Sequence, residues 1–214
     1  MTTLKPNFSS VYTKANEILV MPDVIQTFPF SPIELVKERT GIPCRTYSKA
    51  RNYGLDIEDL GSESAILVEL GDRRIIFYDE SKPLPHIKYS ILHEFGHFVN
   101  GHDLGTKDPE EYHRYEVETN FFAAQLLMPD QVLRELGRRG VSLTKQFLMQ
   151  HFEVSETAAQ KRIETLANTN AERRSRMERE DDGMILWKFS DFIDAICPRV
   201  DKSGCSREWK RLLV

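Results

Sequence analysis

Along most of the chain the apolar residues recur at helical spacing, and a single short stretch carries strand-like runs. Ala15, Ile18 and Leu19 form an apolar stripe that predicts a helix over Ser9 to Met21, capped by Ser9 or Ser10. Ser31, Pro32 and Glu34 make a capping box ahead of Leu35 and Val36, and Gly41 closes that second helix. Pro43 to Ser48 fits a strand, and the polar stretch Lys49 to Gly61 a loop or short helix. Ala65-Ile66-Leu67-Val68 and Ile75-Ile76-Phe77-Tyr78 are β-prone runs around Gly71-Asp72, the pattern of a hairpin. Pro85 then opens a helix with Ile87, Ile91, Leu92, Phe95 and Val99 as its buried positions, and Gly101 stops it. After a polar loop, a helix from about Glu111 to Leu127 ends before Pro129, which cannot continue it. A short helix over Asp130 to Arg138 follows.

Leu143 to Phe152 and Glu156 to Leu166, the second capped by Ser155, read as two helices around a turn. Ala171 to Asp182 is dense in charges of both signs, a solvated helix or a connection. Met184 to Val214 carries both tryptophans, Trp187 and Trp209, which predicts that this tail packs on the body. A few strands followed by helices give an α+β class with a small antiparallel sheet. The expected division is a domain over 1–140 and a helical extension over 141–214.

Composition narrows the function classes. A chain of 214 residues, 40% hydrophobic and 29% charged, can bury a full core without metal or disulfides. A net charge of -4 argues against a surface built throughout for nucleic acid. Cys44, Cys197 and Cys205 are scattered and odd in number, which fits reduced thiols in the cytoplasm better than a disulfide framework. There is no apolar run of membrane-spanning length and no signal-peptide core in the first 20 residues, so the expectation is a cytoplasmic protein without a membrane partner.

The chemistry concentrates in His93-Glu94-Phe95-Gly96-His97. On a helix, residues four apart share a face, so His93 and His97 can offer two imidazoles to one Zn²⁺ ion while Glu94 reaches a water on it. Gly96 leaves room beside the metal or lets a strand approach. A third ligand must come from elsewhere. Glu116 is favoured because Asn120, four residues on, shares its face and can hydrogen-bond a ligating imidazole. Glu118 is the fallback, otherwise an ordinary charged position, and His102 is a rival only if the turn at Gly101 brings it back.

HEFGH followed by EVETNFFAAQLLMP resembles the ImmA/IrrE family of metallo-endopeptidases, whose second motif is similar to E-x-x-A-N-x-F-A-A-x-L-L-M-P. The chain agrees at Glu116, Asn120, Phe122, Ala123, Ala124, Leu126, Leu127, Met128 and Pro129, and departs at Thr119, where alanine is usual. The likeness spans roughly Pro43 to Leu166. It implies a zincin-like core, zinc on His93, His97 and Glu116, and Glu94 as general base. It also implies an intracellular regulator, often associated with phage or mobile elements, whose protein substrate is a helix-turn-helix repressor.

Three points stay open at this stage. The oxyanion donor could be His102, His113, Tyr112 or Tyr115. The hairpin could present an edge strand to an extended substrate or serve only as core. The helix pair after Val141 resembles a helix-turn-helix in which Lys161 and Arg162 could meet phosphates, and ten basic against seven acidic residues over 134–180 leave it mildly basic. A docking or structural module is the better account of it, with a DNA-binding regulator carrying a sensory or inactive metal site as the alternative.

Overall fold

The computed structural model describes residues 5–56, 64–103, 105–169 and 176–198. Trp209, Cys205 and the first part of the charged stretch 171–182 lie outside them. Helix α1 (Phe8–Val20) is capped by Asn7, whose side-chain oxygen accepts from Ser10 N at 3.2 Å, so the cap sits before Ser9 rather than on it. Asn7 has the short side-chain carbonyl that reaches the first free N–H groups, as either serine would. Helix α2 (Pro32–Thr40) starts on Ser31, with Pro32 in its first turn, and ends on Gly41 at φ 72°. That left-handed backbone costs little only for glycine.

Strands β1 (Cys44–Thr46), β2 (Ala65–Leu70) and β3 (Arg73–Tyr78) form one sheet in the order β1-β3-β2. The hairpin is antiparallel, with Leu67 opposite Ile76, but β1 runs parallel to β3, with Cys44 opposite Ile76. The sheet is therefore mixed, not antiparallel as expected. A hairpin leaves both outer edges open, and β1 closes the β3 edge, so β2 remains an edge strand. The two faces of the sheet are both covered. Ala65, Leu67 and Ile76 join the main core, while Ile75 and Phe77 pack with Tyr47 and Ala50 of a 3₁₀ helix, Tyr47–Tyr53.

Of two long helices, the first lies against the sheet and the second packs on the first. Helix α3 (Leu84–Asn100) ends on Gly101 at φ 68°. Helix α4 (Pro109–Leu127) starts on Asp108, whose carboxylate accepts from Glu110 N at 3.0 Å, with Glu110 and Glu111 complementing the helix dipole in its first turn. Helix α5 (Asp130–Arg138) follows after Pro129, and α6 (Lys145–Phe152) and α7 (Glu156–Asn168) form the expected pair, with Ser155 capping α7. Helices α8 (Arg176–Lys188) and α9 (Ser190–Ile196) return to pack on α1 and α5.

One continuous core runs from Val11 to Ile193. Phe28 stands at the junction of the chain's ends: its ring lies 5.4 Å from Phe152 of α6, 4.7 Å from Phe189 and 5.3 Å from Phe192 of α9. The described part of the tail, 184–198, therefore packs on the body through Ile185, Phe189 and Ile193. Trp187, expected to do so, is 81% exposed. Among the described residues no helix is long and apolar enough to cross a membrane.

Candidate metal centre

Helix α3 sets His93 and His97 one turn apart on the face it turns to α4, and α4 sets Glu116 opposite them. The approach of the two helices depends on Gly96. A Cβ there would meet Phe122 Cδ1 at 3.1 Å, Thr119 Cγ2 at 3.3 Å and the Thr119 Cα at 3.4 Å. The glycine thus makes room for a helix, not for a strand.

The Nε2 atoms of His93 and His97 are 3.2 Å apart. Glu116 reaches His93 Nε2 with Oε2 at 3.4 Å and His97 Nε2 with Oε1 at 3.3 Å. Ligand bonds of roughly 2.0–2.1 Å at tetrahedral angles put donor atoms about 3.3 Å apart, and each of these three separations is of that size, the two to Glu116 being made by different carboxylate oxygens. Two imidazoles and a carboxylate are a donor set that suits Zn²⁺. The residues present fit the ion.

Glu94 also lies within reach, since one donor atom each from His93, Glu94 and His97 fall within 4.8 Å of one another. That grouping shares the two histidines with the Glu116 contacts, whose separations are 3.2 to 3.4 Å. Glu94 Oε2 moreover accepts from Leu67 N of β2 at 2.9 Å, which turns the carboxylate toward the strand. Glu94 therefore stands beside these contacts, at the boundary between α3 and the edge of the sheet.

Charge follows the geometry. Hydrogen bonds from His93 and His97 hold the Glu116 carboxyl well below the ordinary carboxylate range, outweighing its burial. Burial alone would lower His93, but its hydrogen bond and attraction to Glu116 leave its pKa raised.

Asn120 donates from Nδ2 to the Glu116 carbonyl, and its side chain helps to favour the charged form of His93. Its Oδ1 lies 2.9 Å from the hydroxyl of Tyr89, whose pKa burial pushes up to about 12. Thr119, the departure from the usual alanine, places Oγ1 3.3 Å from His93 Nε2 while donating back to the carbonyls of its own helix.

The structure brings His93, Glu94, His97, Glu116 and Asn120 together. His102 and Glu118 lie one layer behind, bonded to each other at 2.9 Å with side chains only 3% and 6% exposed. The sequence signals neither burial nor pairing: His102 lies beyond the helix stop, and no periodicity links residues sixteen apart. Of the oxyanion candidates, Tyr112 and Tyr115 both line the cleft over the site, but the Tyr115 hydroxyl is donated to Glu111 at 2.8 Å, and His113 is exposed outside the cleft. The cleft measures about 500 Å³ and runs between Ser64–Leu67 of the sheet edge and Tyr89, Tyr112 and Glu116 of the helices.

The helix pair offers less to DNA than its sequence suggests. Arg162 is 2% exposed, donating from Nε to the Met128 carbonyl at 2.8 Å and from Nη2 to Gln125 Oε1. It cannot meet a phosphate from there. Lys161 is exposed.

A protein-family model described as Peptidase_M78, IrrE N-terminal-like domain, matches residues 49–164. The match takes in the 3₁₀ helix, the hairpin, both site helices and the pair α6–α7. A search of curated proteins returned no match.

Proposed function

The chain belongs to the Peptidase_M78 family of IrrE N-terminal-like metallopeptidases, and from that premise we propose that it is a zinc-dependent endopeptidase. It acts in the cytoplasm and cuts a regulatory protein of the helix-turn-helix repressor class. The observation that carries the zinc reading is the His93–His97–Glu116 cluster with separations of 3.2 to 3.4 Å. In this reading the two Nε2 atoms and the Glu116 carboxylate hold the ion, Asn120 orients His93, and Glu94 is the general base. The repressor class rests on the family likeness.

When bound, Zn²⁺ supplies Lewis-acid chemistry, acidifying a water and polarising the scissile carbonyl. The chain's own residues do the rest. Glu94 takes a proton from the attacking water and gives it to the leaving amine. Its hydrogen bond from Leu67 N holds the carboxylate at the mouth of the cleft until then. The substrate lies along β2. Asp79 N donates to Ser64 O, so the even-numbered residues of β2 bond to β3 and the odd-numbered ones face away. The carbonyls of Ala65 and Leu67 and the N–H of Ala65 are thus presented to an extended chain, which adds as a further strand. Tyr112 lines the cleft, and the Tyr115 hydroxyl is already given to Glu111, so Tyr112 is the proposed oxyanion donor.

Glu94→Gln should bind zinc at wild-type stoichiometry and lose cleavage of the repressor by at least about 10²-fold, as expected when a general base is removed. A Glu94→Gln protein that still relieves repression at full strength in cells would exclude proteolysis as its mode of action. Elemental analysis of Glu116→Ala tests the third ligand: retention of one zinc per chain would assign it elsewhere.

A further inference from the structure

Behind His97 runs a chain of hydrogen bonds with a single consistent direction. His97 Nδ1 lies 3.1 Å from His102 Nδ1, His102 Nε2 lies 2.9 Å from Glu118 Oε2, and Glu118 Oε1 accepts from Asn7 N at 2.7 Å. The ring of Tyr115 stacks flat on His102, centroids 4.1 Å apart and planes 13° apart, which fixes the imidazole's plane. Four segments meet here: α3, the turn after it, α4 and the N-terminal residue that caps α1.

We propose that His102 and Glu118 are positioning residues that lock His97 in the tautomer whose Nε2 lone pair faces the metal corner. A carboxylate only accepts, so His102 must carry its proton on Nε2. A neutral imidazole so protonated has its lone pair on Nδ1, facing His97. In the neutral ring that a metal ligand requires, His97 then carries its one proton on Nδ1, and its Nε2 lone pair faces the metal corner. Reversing any link breaks the chain, because a proton on His102 Nδ1 would force His97 to carry its own on Nε2, where a ligand must have none. The carboxylate–histidine support common around metal ligands is here lengthened by one imidazole. The inference rests on the proposed role of His97 as a ligand.

Zn²⁺ affinity, measured by competition with a chromophoric chelator, tests it. His102→Phe keeps the stack on Tyr115 and removes the acceptor. It should weaken zinc about 10–100-fold, the usual cost of losing an outer partner of a ligating histidine. In His102→Asn, Oδ1 takes the place of Nδ1 and still accepts from His97, so affinity should return to within about threefold of wild type. A merely structural role predicts no such rescue. Glu118→Gln provides an independent arm, with the same loss as His102→Phe, because an amide cannot accept from both His102 and Asn7. Urea unfolding of the metal-free variants separates folding from binding. Wild-type affinity in both His102→Phe and Glu118→Gln would overturn the proposal, as would equal losses in His102→Phe and His102→Asn. Should His97→Ala bind zinc as the wild type does, the ligand reading itself fails. Should His97→Ala lose zinc while the His102 and Glu118 variants keep it, only the relay fails.

Discussion

Gly96 controls the distance between the ligand-bearing helices. Helix propensity alone would favour alanine there by about 1 kcal/mol. The methyl would nevertheless press on Phe122 and on the Thr119 backbone at 3.1 to 3.4 Å, and overpacking of this kind costs about 1–3 kcal/mol. Gly96→Ala is therefore expected to lower stability by about 1 kcal/mol, read as a lower urea midpoint at constant slope. It should also weaken zinc, because α4 carries Glu116 away from the two Nε2 atoms. An unchanged midpoint together with unchanged affinity would show that the helices yield freely. Thr119 belongs to the same contact. Its methyl meets the Gly96 face and its hydroxyl approaches His93, so the departure from alanine lies at the site itself.

Among the elements, α7 is tied to the site helix from below. Arg162 satisfies the Met128 carbonyl, at the end of α4, and the side chain of Gln125, which in turn bonds Asn16 of α1 at 2.9 Å and Gln131 of α5 at 3.0 Å. Arg162→Met fills the space yet strands the buried Met128 carbonyl and leaves Gln125 Oε1 only the long bond from Asp130 N, so a loss of about 2 kcal/mol in unfolding free energy is expected. A loss below 0.5 kcal/mol, the range of an ordinary surface substitution, would mean that the hub re-forms without it. The tail makes a sharper comparison. Phe189 sits against Phe28 in the core and Trp187 stands in solvent two residues earlier. Phe189→Ala should cost about 3–5 kcal/mol, and Trp187→Ser less than about 0.5 kcal/mol, by the same denaturation measurement.

For the whole molecule, the centre joins α3 to α4, two elements that already share a core, so the metal adds to a fold that can form without it. Zinc at about a thousand times its dissociation constant should raise stability by about 4 kcal/mol. For a chain of this size that is a rise in melting temperature of about 10 °C. Calorimetry with zinc and with a chelator checks it, and equal melting temperatures would argue that no ion is held.

The amino-acid sequence by itself determined whatever depends on spacing along one element. The caps at Ser31 and Ser155, the stop at Gly101 and the hairpin around Gly71-Asp72 are set by local backbone chemistry. So is the placing of His93 with His97, and of Glu116 with Asn120, each pair four residues apart on a helix. Only the tertiary structure decided what depends on elements meeting. A three-residue strand carries too little pattern to show that β1 pairs in parallel with β3, so the sheet is mixed. Arg162 and Trp187 exchange the places their chemistry suggests, because a buried acceptor cluster outweighs the cost of burying a guanidinium, while Phe189, two residues on, takes the core position and Trp187 is left on the exposed side. The pairing of His102 with Glu118 joins a turn to a helix across sixteen residues, and no local preference records it. Spacing within a helix is written in the residues; the layer behind the ligands appears only when the helices pack.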